Sequence, residues 1–441
     1  MTTYSCQYAW LGGEAVEAEV VVRVEGGRFD SVEVGAAAPA AAERLAGVTV
    51  PGFANAHSHA FHRALRGRSQ AGRGSFWTWR EGMYEVAARL DPDSYLALAR
   101  ATFGEMALAG ITAVGEFHYL HHGPGGAPYD DPNEIGRALL AAAAEAGIRI
   151  TLLDTCYLQG GIGEPLAGVQ RRFGDGDAGR WAERVEALGE LDAGARLGAA
   201  VHSVRAVDPE ASRAVAEWAR ARSCPLHAHV AEQPAEVAAC VAAHGKAPIA
   251  VLDDGGAVHG DFTAVHFTQV AGEDVRTLGA AGACCCLCPT TERDLADGIG
   301  PARAIADAGA RLALGSDSHA VIDHFEEMRA VELDERLATN ERSLHRAAEL
   351  LRAGTEGGHR SIGWPEAGRI EAGAIADLVT VSLDGVRLAG AWDGGPEALV
   401  FAAAAGDVRH VVAGGEAIVR DGRHVSLDVA AELRAAIGAL T

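Results

Sequence analysis

Two histidines stand two residues apart in Asn55-Ala56-His57-Ser58-His59, at the end of the apolar run that begins at Thr49. On a strand, side chains two apart point the same way, so both imidazoles can reach one metal ion. Alone the pattern reads as well as a pair of surface histidines. Other apolar runs, however, end in similar chemistry: His227-Ala228-His229-Val230-Ala231-Glu232, His266, and Gly315-Ser316-Asp317-Ser318-His319. His57, His59, His229 and Asp317 can therefore complete a shell of three nitrogens and one carboxylate, with Glu232 and His266 outside it as proton carriers. Such a set activates water for hydrolysis.

The elements that must position these groups follow from periodicity. Between Val50 and about Arg352, short apolar runs alternate with longer amphipathic segments. Eight runs are counted: Thr49 to Ala56, Ile111 to Phe117, Ile148 to Asp154, Leu197 to Val201, Pro225 to Val230, Phe262 to Phe267, Gly282 to Leu287 and Leu312 to Ser316. Helices are expected between them, such as Pro92 to Ala109 and Pro209 to Ala221, the latter opened by Asp208-Pro209. Eight strand-helix pairs in about 300 residues predict an α/β fold, a closed (β/α)8 TIM-like barrel whose active site lies at the C-terminal strand ends. Val20 to Val24, Asp30 to Val34, Ala376 to Ser382, His410 to Ala413 and Ala417 to Arg420 read as strands of a small β-sandwich-like domain built from both chain ends. The expected division is 1–48 and 366–441 for that domain and 49–365 for the barrel. Gly123 to Gly126 is a loop, with no following Lys-Ser/Thr to make a phosphate cradle.

Composition narrows the function classes. With 38 Lys plus Arg against 60 Asp plus Glu, the 441-residue chain carries a net charge of −22 and is too acidic for a nucleic-acid binder. No run approaches the roughly 18 to 20 apolar residues needed to span a bilayer, and Met1 to Trp10 lacks a signal-peptide pattern, so no membrane is expected and the expected compartment is the cytoplasm. The eight cysteines are expected to be free thiols. Cys285 and Cys288 form a CxxC, but strand alternation sends them to opposite faces, as buried apolar side chains rather than ligands. His118, His121, His122, His244, His259 and His324 are expected on the surface or in loops.

Led by Pro51-Gly52-Phe53-Ala54-Asn55-Ala56-His57-Ser58-His59, the constellation resembles the amidohydrolase superfamily over nearly the whole chain. Many members bridge two metals with a carboxylated lysine, whereas this chain has one lysine, Lys246, after the fifth run. The resemblance thus implies the one-metal deaminase branch, with one zinc ion per chain, the same shell also accepting iron or manganese. His57 to Leu65, Phe76-Trp77-Thr78-Trp79-Arg80-Glu81, Val201 to Val207, His227 to Gln233 and Leu287-Cys288-Pro289-Thr290-Thr291-Glu292 are similar to the formimidoylglutamate deiminases, a family within that branch. This implies hydrolysis of N-formimino-L-glutamate to N-formyl-L-glutamate and ammonia, in histidine degradation, by a homodimer. Glu232 would move a proton to the leaving nitrogen, while His266 and Asp317 orient the nucleophile. One departure stands at His62, where that family pattern has glutamine.

The same segments fit a small dicarboxylate substrate. Arg80 and Arg205 fall where the barrel mouth is expected, and the guanidinium grips carboxylates in a fork. His202 ends the fourth run, Tyr119 follows the second and His62 follows the first, so each can contact the same ligand. Trp77 and Trp79 are expected to pack the mouth. A purine or pyrimidine ring deaminase is the nearest alternative and would want aromatic and amide contacts; a non-catalytic scaffold would have lost metal ligands, and none is missing.

Overall fold

A computed structural model describes residues 1–71 and 73–440. Eight parallel strands follow one another around a barrel: Phe53–Ser58, Ile111–His118, Arg149–Cys156, Ala195–Val201, Leu226–Val230, Phe262–His266, Cys284–Leu287 and Arg311–Leu314. A bridge between Ser58 and Asp317 brings the eighth strand back to the first, with the Asp317 amide donating to the His57 carbonyl at 3.0 Å. The ring closes where two of the expected chemical groups stand.

Helices fill the connections, and their starts are written locally. Pro92–Leu108 is opened by Asp91, whose carboxylate accepts from the Ser94 amide at 2.8 Å, with proline in the first turn. Pro209–Arg222 is opened likewise by Asp208, which accepts from Glu210 and Ala211. No single helix among the described residues is long and apolar enough to cross a membrane; Pro234–His244 and Pro248–Asp254 reach that composition only together, across a 49° bend.

Both chain ends build the second sheet. Its order is Arg423–His424, Glu416–Arg420, Val408–Ala413, Leu378–Val381, Glu43–Pro51, Thr2–Ala9, Glu17–Glu25 and Arg28–Val34. The first expected run, Thr49 to Ala56, is therefore two strands, and the expected division at 48/49 falls inside Glu43–Pro51. Gly52 makes the break. A Cβ there would collide with the Thr112 side chain and Asp377, so only glycine lets the chain pass from one sheet to the other. Asp377 then ties the two together, accepting from Thr112 Oγ1 and Arg149 Nη1 at 2.9 Å each.

All eight cysteines are free. Cys284, Cys286 and Cys288 pack in the barrel lumen with Ala54, Ala113 and Val265, while Cys285 belongs to the core outside it. The alternation separates Cys285 from Cys288 as expected.

Candidate active site

The polar residues that end the barrel strands converge over the lumen. His57 Nε2 and His59 Nε2 each lie 3.3 Å from Asp317 Oδ1, and His229 Nε2 lies 3.1 Å from His57 Nε2. Burial pushes His57 down to about 3 and lowers His59 and His229 as well, so all three imidazoles are neutral. Their orientation is set from behind. His59 Nδ1 meets the Phe117 carbonyl at 2.9 Å and His229 Nδ1 the His202 carbonyl at 2.8 Å. Donation to those carbonyls leaves a lone pair on each Nε2, that of His59 toward Asp317 and that of His229 toward His57 Nε2. Lone pairs of neutral imidazoles and a carboxylate crowded into one point repel unless a cation sits among them. The donor set thus fits a divalent metal of borderline softness.

His266 stands at the same point but in another state. Its Nε2 lies 3.8 Å from Glu232 Oε1 and 4.0 Å from Asp317 Oδ2, and its Nδ1 lies 3.6 Å from Glu292 Oε1. Burial alone would lower its pKa, but these carboxylates outweigh it and hold the ring well above the usual imidazole value. An imidazolium offers protons and no lone pair. By distance alone His266 groups with His57, His229 and Asp317, and His59 groups with His62 and Asp317. Distance leaves both His59 and His266 beside Asp317, with the carboxylates of Glu232 and Glu292 against His266 alone.

Backbone strain accompanies the strand ends. Ala231, His266, Phe267, Asp317 and His319 all have positive φ, between 38° and 69°. Each such conformation costs a non-glycine residue on the order of 1 to 3 kcal/mol. Here they turn the chain over the lumen immediately after the strands.

A cavity of about 290 Å³ opens above this point. Arg80, Arg205, His202, Tyr119 and His62 all line it, together with Glu232, His266 and Asp317. Arg205 Nη2 lies 3.4 Å from Glu232 Oε2, and its Nε is 4.0 Å from Glu236 Oε1. Arg80 lies on the helix Phe76–Arg89, its guanidinium 4.5 Å over the Trp77 ring and 5.5 Å from Tyr84, and makes no ion pair with a described residue. His62 Nε2 meets the Tyr119 hydroxyl at 2.9 Å, and Trp79 stands edge-on to the His62 ring at 5.0 Å. His62 thus anchors Tyr119 while facing the cavity.

Several participants escaped the sequence reading. Glu292 accepts from the Cys288 amide at 2.9 Å as well as facing His266. Glu236 accepts from the Glu232 amide at 3.0 Å. Tyr84, Tyr157 and Phe173 complete the cavity wall. Glu292 ends the Cys-Pro-Thr-Thr-Glu segment and Tyr84 stands one helical turn beyond Arg80, so a signal existed for both. Glu236 gave none beyond its place one turn after Glu232.

The expectation of surface or loop positions fails for His118, in the strand Ile111–His118, and His324, in the helix His324–Thr339, whereas His121 and His122 lie in a loop but not at the surface. His118, His121, His122 and His324 are all buried. Asp154 and Asp175, bridged by Arg184, form an internal polar network that takes up His121 and His122; His122 Nε2 meets Asp175 at 2.9 Å. His118 contacts His121, and His324 meets the Ala54 carbonyl at 3.0 Å. Each thus makes at least one ring-nitrogen contact within the fold, while Nδ1 of His118, His122 and His324 is buried without a partner among the described residues. His244 and His259 are partly exposed.

Residues 48–418 match the amidohydrolase family. Over 404 residues the chain is 39% identical to formimidoylglutamate deiminase of Pseudomonas aeruginosa, covering 87% of each protein. An amidohydrolase from Brucella melitensis superposes with a TM-score of 0.92 at 34% identity over 100% of both chains. An adenosine deaminase from Xanthomonas campestris with bound zinc gives 0.85 at 25% identity, over 99% of this chain and 97% of the other.

Proposed function

The chain belongs to the amidohydrolase family and hydrolyses a carbon–nitrogen bond, and from that premise we propose that its substrate is N-formimino-L-glutamate and its cofactor one zinc ion. The observation that carries the substrate is the pair of guanidinium groups in the cavity above the histidine cluster, one of them, Arg80, without a carboxylate partner among the described residues. Arginine forks suit the two carboxylates of a glutamyl group. The 39% identical formimidoylglutamate deiminase supports the same reading. Products are N-formyl-L-glutamate and ammonia.

His57, His59, His229 and Asp317 would hold the metal. Once bound there, such an ion would lower the pKa of a water into the neutral range. Glu232, raised by burial against the opposing pull of His266 and Arg205, carries a proton to the departing nitrogen. His266 donates from Nε2 to orient the attacking oxygen and to stabilise the tetrahedral adduct. Arg205 and Arg80 fix the carboxylates, and Tyr119, held by His62, closes the side of the cavity. The aromatic wall of Phe76, Trp77, Trp79, Tyr119 and Tyr157 favours a second reading, deamination of a purine-type ring.

Ammonia release separates the two. The purified protein is expected to release ammonia from N-formimino-L-glutamate and at least a hundredfold more slowly, on the order of two missing charge contacts, from guanine and cytosine. Comparable turnover of a ring would replace the first reading by the second. Elemental analysis is expected to return one zinc per chain. The sole lysine, Lys246, is half-exposed and paired with Asp254, leaving no lysine to bridge a second ion. Two tightly held metals, both required for activity, would overturn the stoichiometry.

A further inference from the structure

Two tyrosines of the cavity wall have no part in the mechanism above. Tyr84, on the helix Phe76–Arg89, and Tyr157, just past the strand Arg149–Cys156, both line the cavity. One buried amide joins their hydroxyls from behind. Gln170, in the helical turn Gly168–Arg172, is 7% exposed, and its Nε2 donates to the Tyr84 hydroxyl at 3.0 Å and to the Tyr157 hydroxyl at 3.4 Å. Backbone groups fix which end of the amide faces the phenols. The Ala167 N–H can only donate and meets Gln170 Oε1 at 3.2 Å, whereas the Gly160 carbonyl can only accept and lies 3.4 Å from Nε2. Glycine at 160 permits this closure, since a Cβ there would meet Gln170 Oε1 and the Pro165 carbonyl at 2.8 Å each.

We propose that Gln170 is a positioning residue for substrate binding, holding the hydroxyls of Tyr84 and Tyr157 so that a phenolic proton points into the cavity and donates to a substrate carboxylate beside Arg80 and Arg205. An amide that donates to a phenol oxygen leaves the phenol's own proton to be used elsewhere. The two hydroxyls also face each other, so one proton can be shared between them and at least one remains for an acceptor in the cavity. The neighbours define that acceptor. The Arg80 guanidinium lies 5.5 Å from the Tyr84 ring, and Arg205 interacts electrostatically with both phenols. Burial raises the Tyr157 hydroxyl well above the usual phenol value, so it stays protonated and remains a donor. A carboxylate offers more lone pairs than one guanidinium fork fills, and a neutral donor among the arginines completes its shell as it leaves water.

The inference rests on the reading of the cavity as a dicarboxylate site, and its test uses the metal-loaded enzyme. The readout is the ratio of kcat/KM on N-formimino-L-glutamate to that on an N-alkyl formamidine without carboxylates. Removing both hydroxyls, with Tyr84→Phe and Tyr157→Phe together, is expected to lower this ratio about 10- to 100-fold, the range of a hydrogen bond to a charged group. The fall should appear in KM, because the contact is made to a part of the substrate that does not react. Gln170→Met alone should lower the ratio about 3- to 10-fold. Added to the phenylalanine pair it should lower it by less than about twofold, because the amide acts through the hydroxyls already removed. Should the methionine variant fold poorly, Gln170→Glu, which accepts where the amide donates and so turns the phenolic protons away from the cavity, is expected to lower the ratio at least as far. An unchanged ratio in the phenylalanine pair, an equal loss on both substrates, or a Gln170 effect undiminished in the phenylalanine background overturns the proposal. Arg205→Ala separates it from the reading beneath it. If that variant loses N-formimino-L-glutamate turnover while the phenylalanine pair leaves the ratio unmoved, only the roles of Gln170 and the phenols fall; if the wild type prefers a ring, the dicarboxylate reading falls and this inference with it.

Discussion

Glu232→Gln is expected to fold, to keep its metal, and to turn over N-formimino-L-glutamate about 10² to 10⁴ times more slowly than wild type. The amide is nearly isosteric, so the Arg205 contact and the Glu236 bond to the Glu232 backbone amide survive in outline. What it loses is the proton. The loss should fall on kcat, with KM nearly unchanged, because a proton transfer belongs to the transition state and not to substrate binding. Metal content serves as the control, since the proposed ligands all lie on other residues. Retention of more than about half of wild-type activity would make Glu232 a structural prop for Arg205.

Removing the arginines should produce the other large effect. A chain of net charge −22 repels a dianion at long range, so the local guanidinium groups must offset both that repulsion and the desolvation of two carboxylates. Truncating one partner of a buried charge pair costs about 2 to 5 kcal/mol, so Arg205→Ala should lower kcat/KM by roughly 30-fold to several thousandfold. Arg80→Ala should cost less, because its side chain is partly exposed and already stacked on Trp77. A neutral formamidine without carboxylates separates the roles. On that poor substrate Arg80→Ala should equal wild type. Arg205→Ala should retain a small deficit, because Arg205 also contacts Glu232 at 3.4 Å and its removal leaves Glu236 without a cationic partner. Equal impairment of Arg205→Ala on both substrates would assign Arg205 to the chemistry or the fold, and the case for formiminoglutamate over a ring would lose its main physical support.

The residues named from the sequence do converge. His57, His59, His229, Glu232, His266 and Asp317 were legible because their spacing is covalent: two residues along a strand fix a common direction, and polar residues that end apolar runs must emerge at one rim of a parallel barrel. Helix starts at Asp91 and Asp208 were legible for the same reason, since a cap and its partner amide lie two or three residues apart. Partnerships across the chain were not. Whether His59 or His266 presents a lone pair depends on carboxylates at 232, 292 and 317, supplied by three different strand ends. Nothing local to His118, His121 or His122 announces Asp154, Asp175 and Arg184, so their burial could not be read from neighbours in sequence. Gly52 reads as an ordinary strand residue until Thr112 and Asp377 close on it from two sheets. Residue type and local period therefore determined which chemistry this protein carries and at which end of the barrel. Tertiary packing decided which groups hold protons, because burial and charge neighbours set proton affinity and neither is a property of the chain taken one segment at a time.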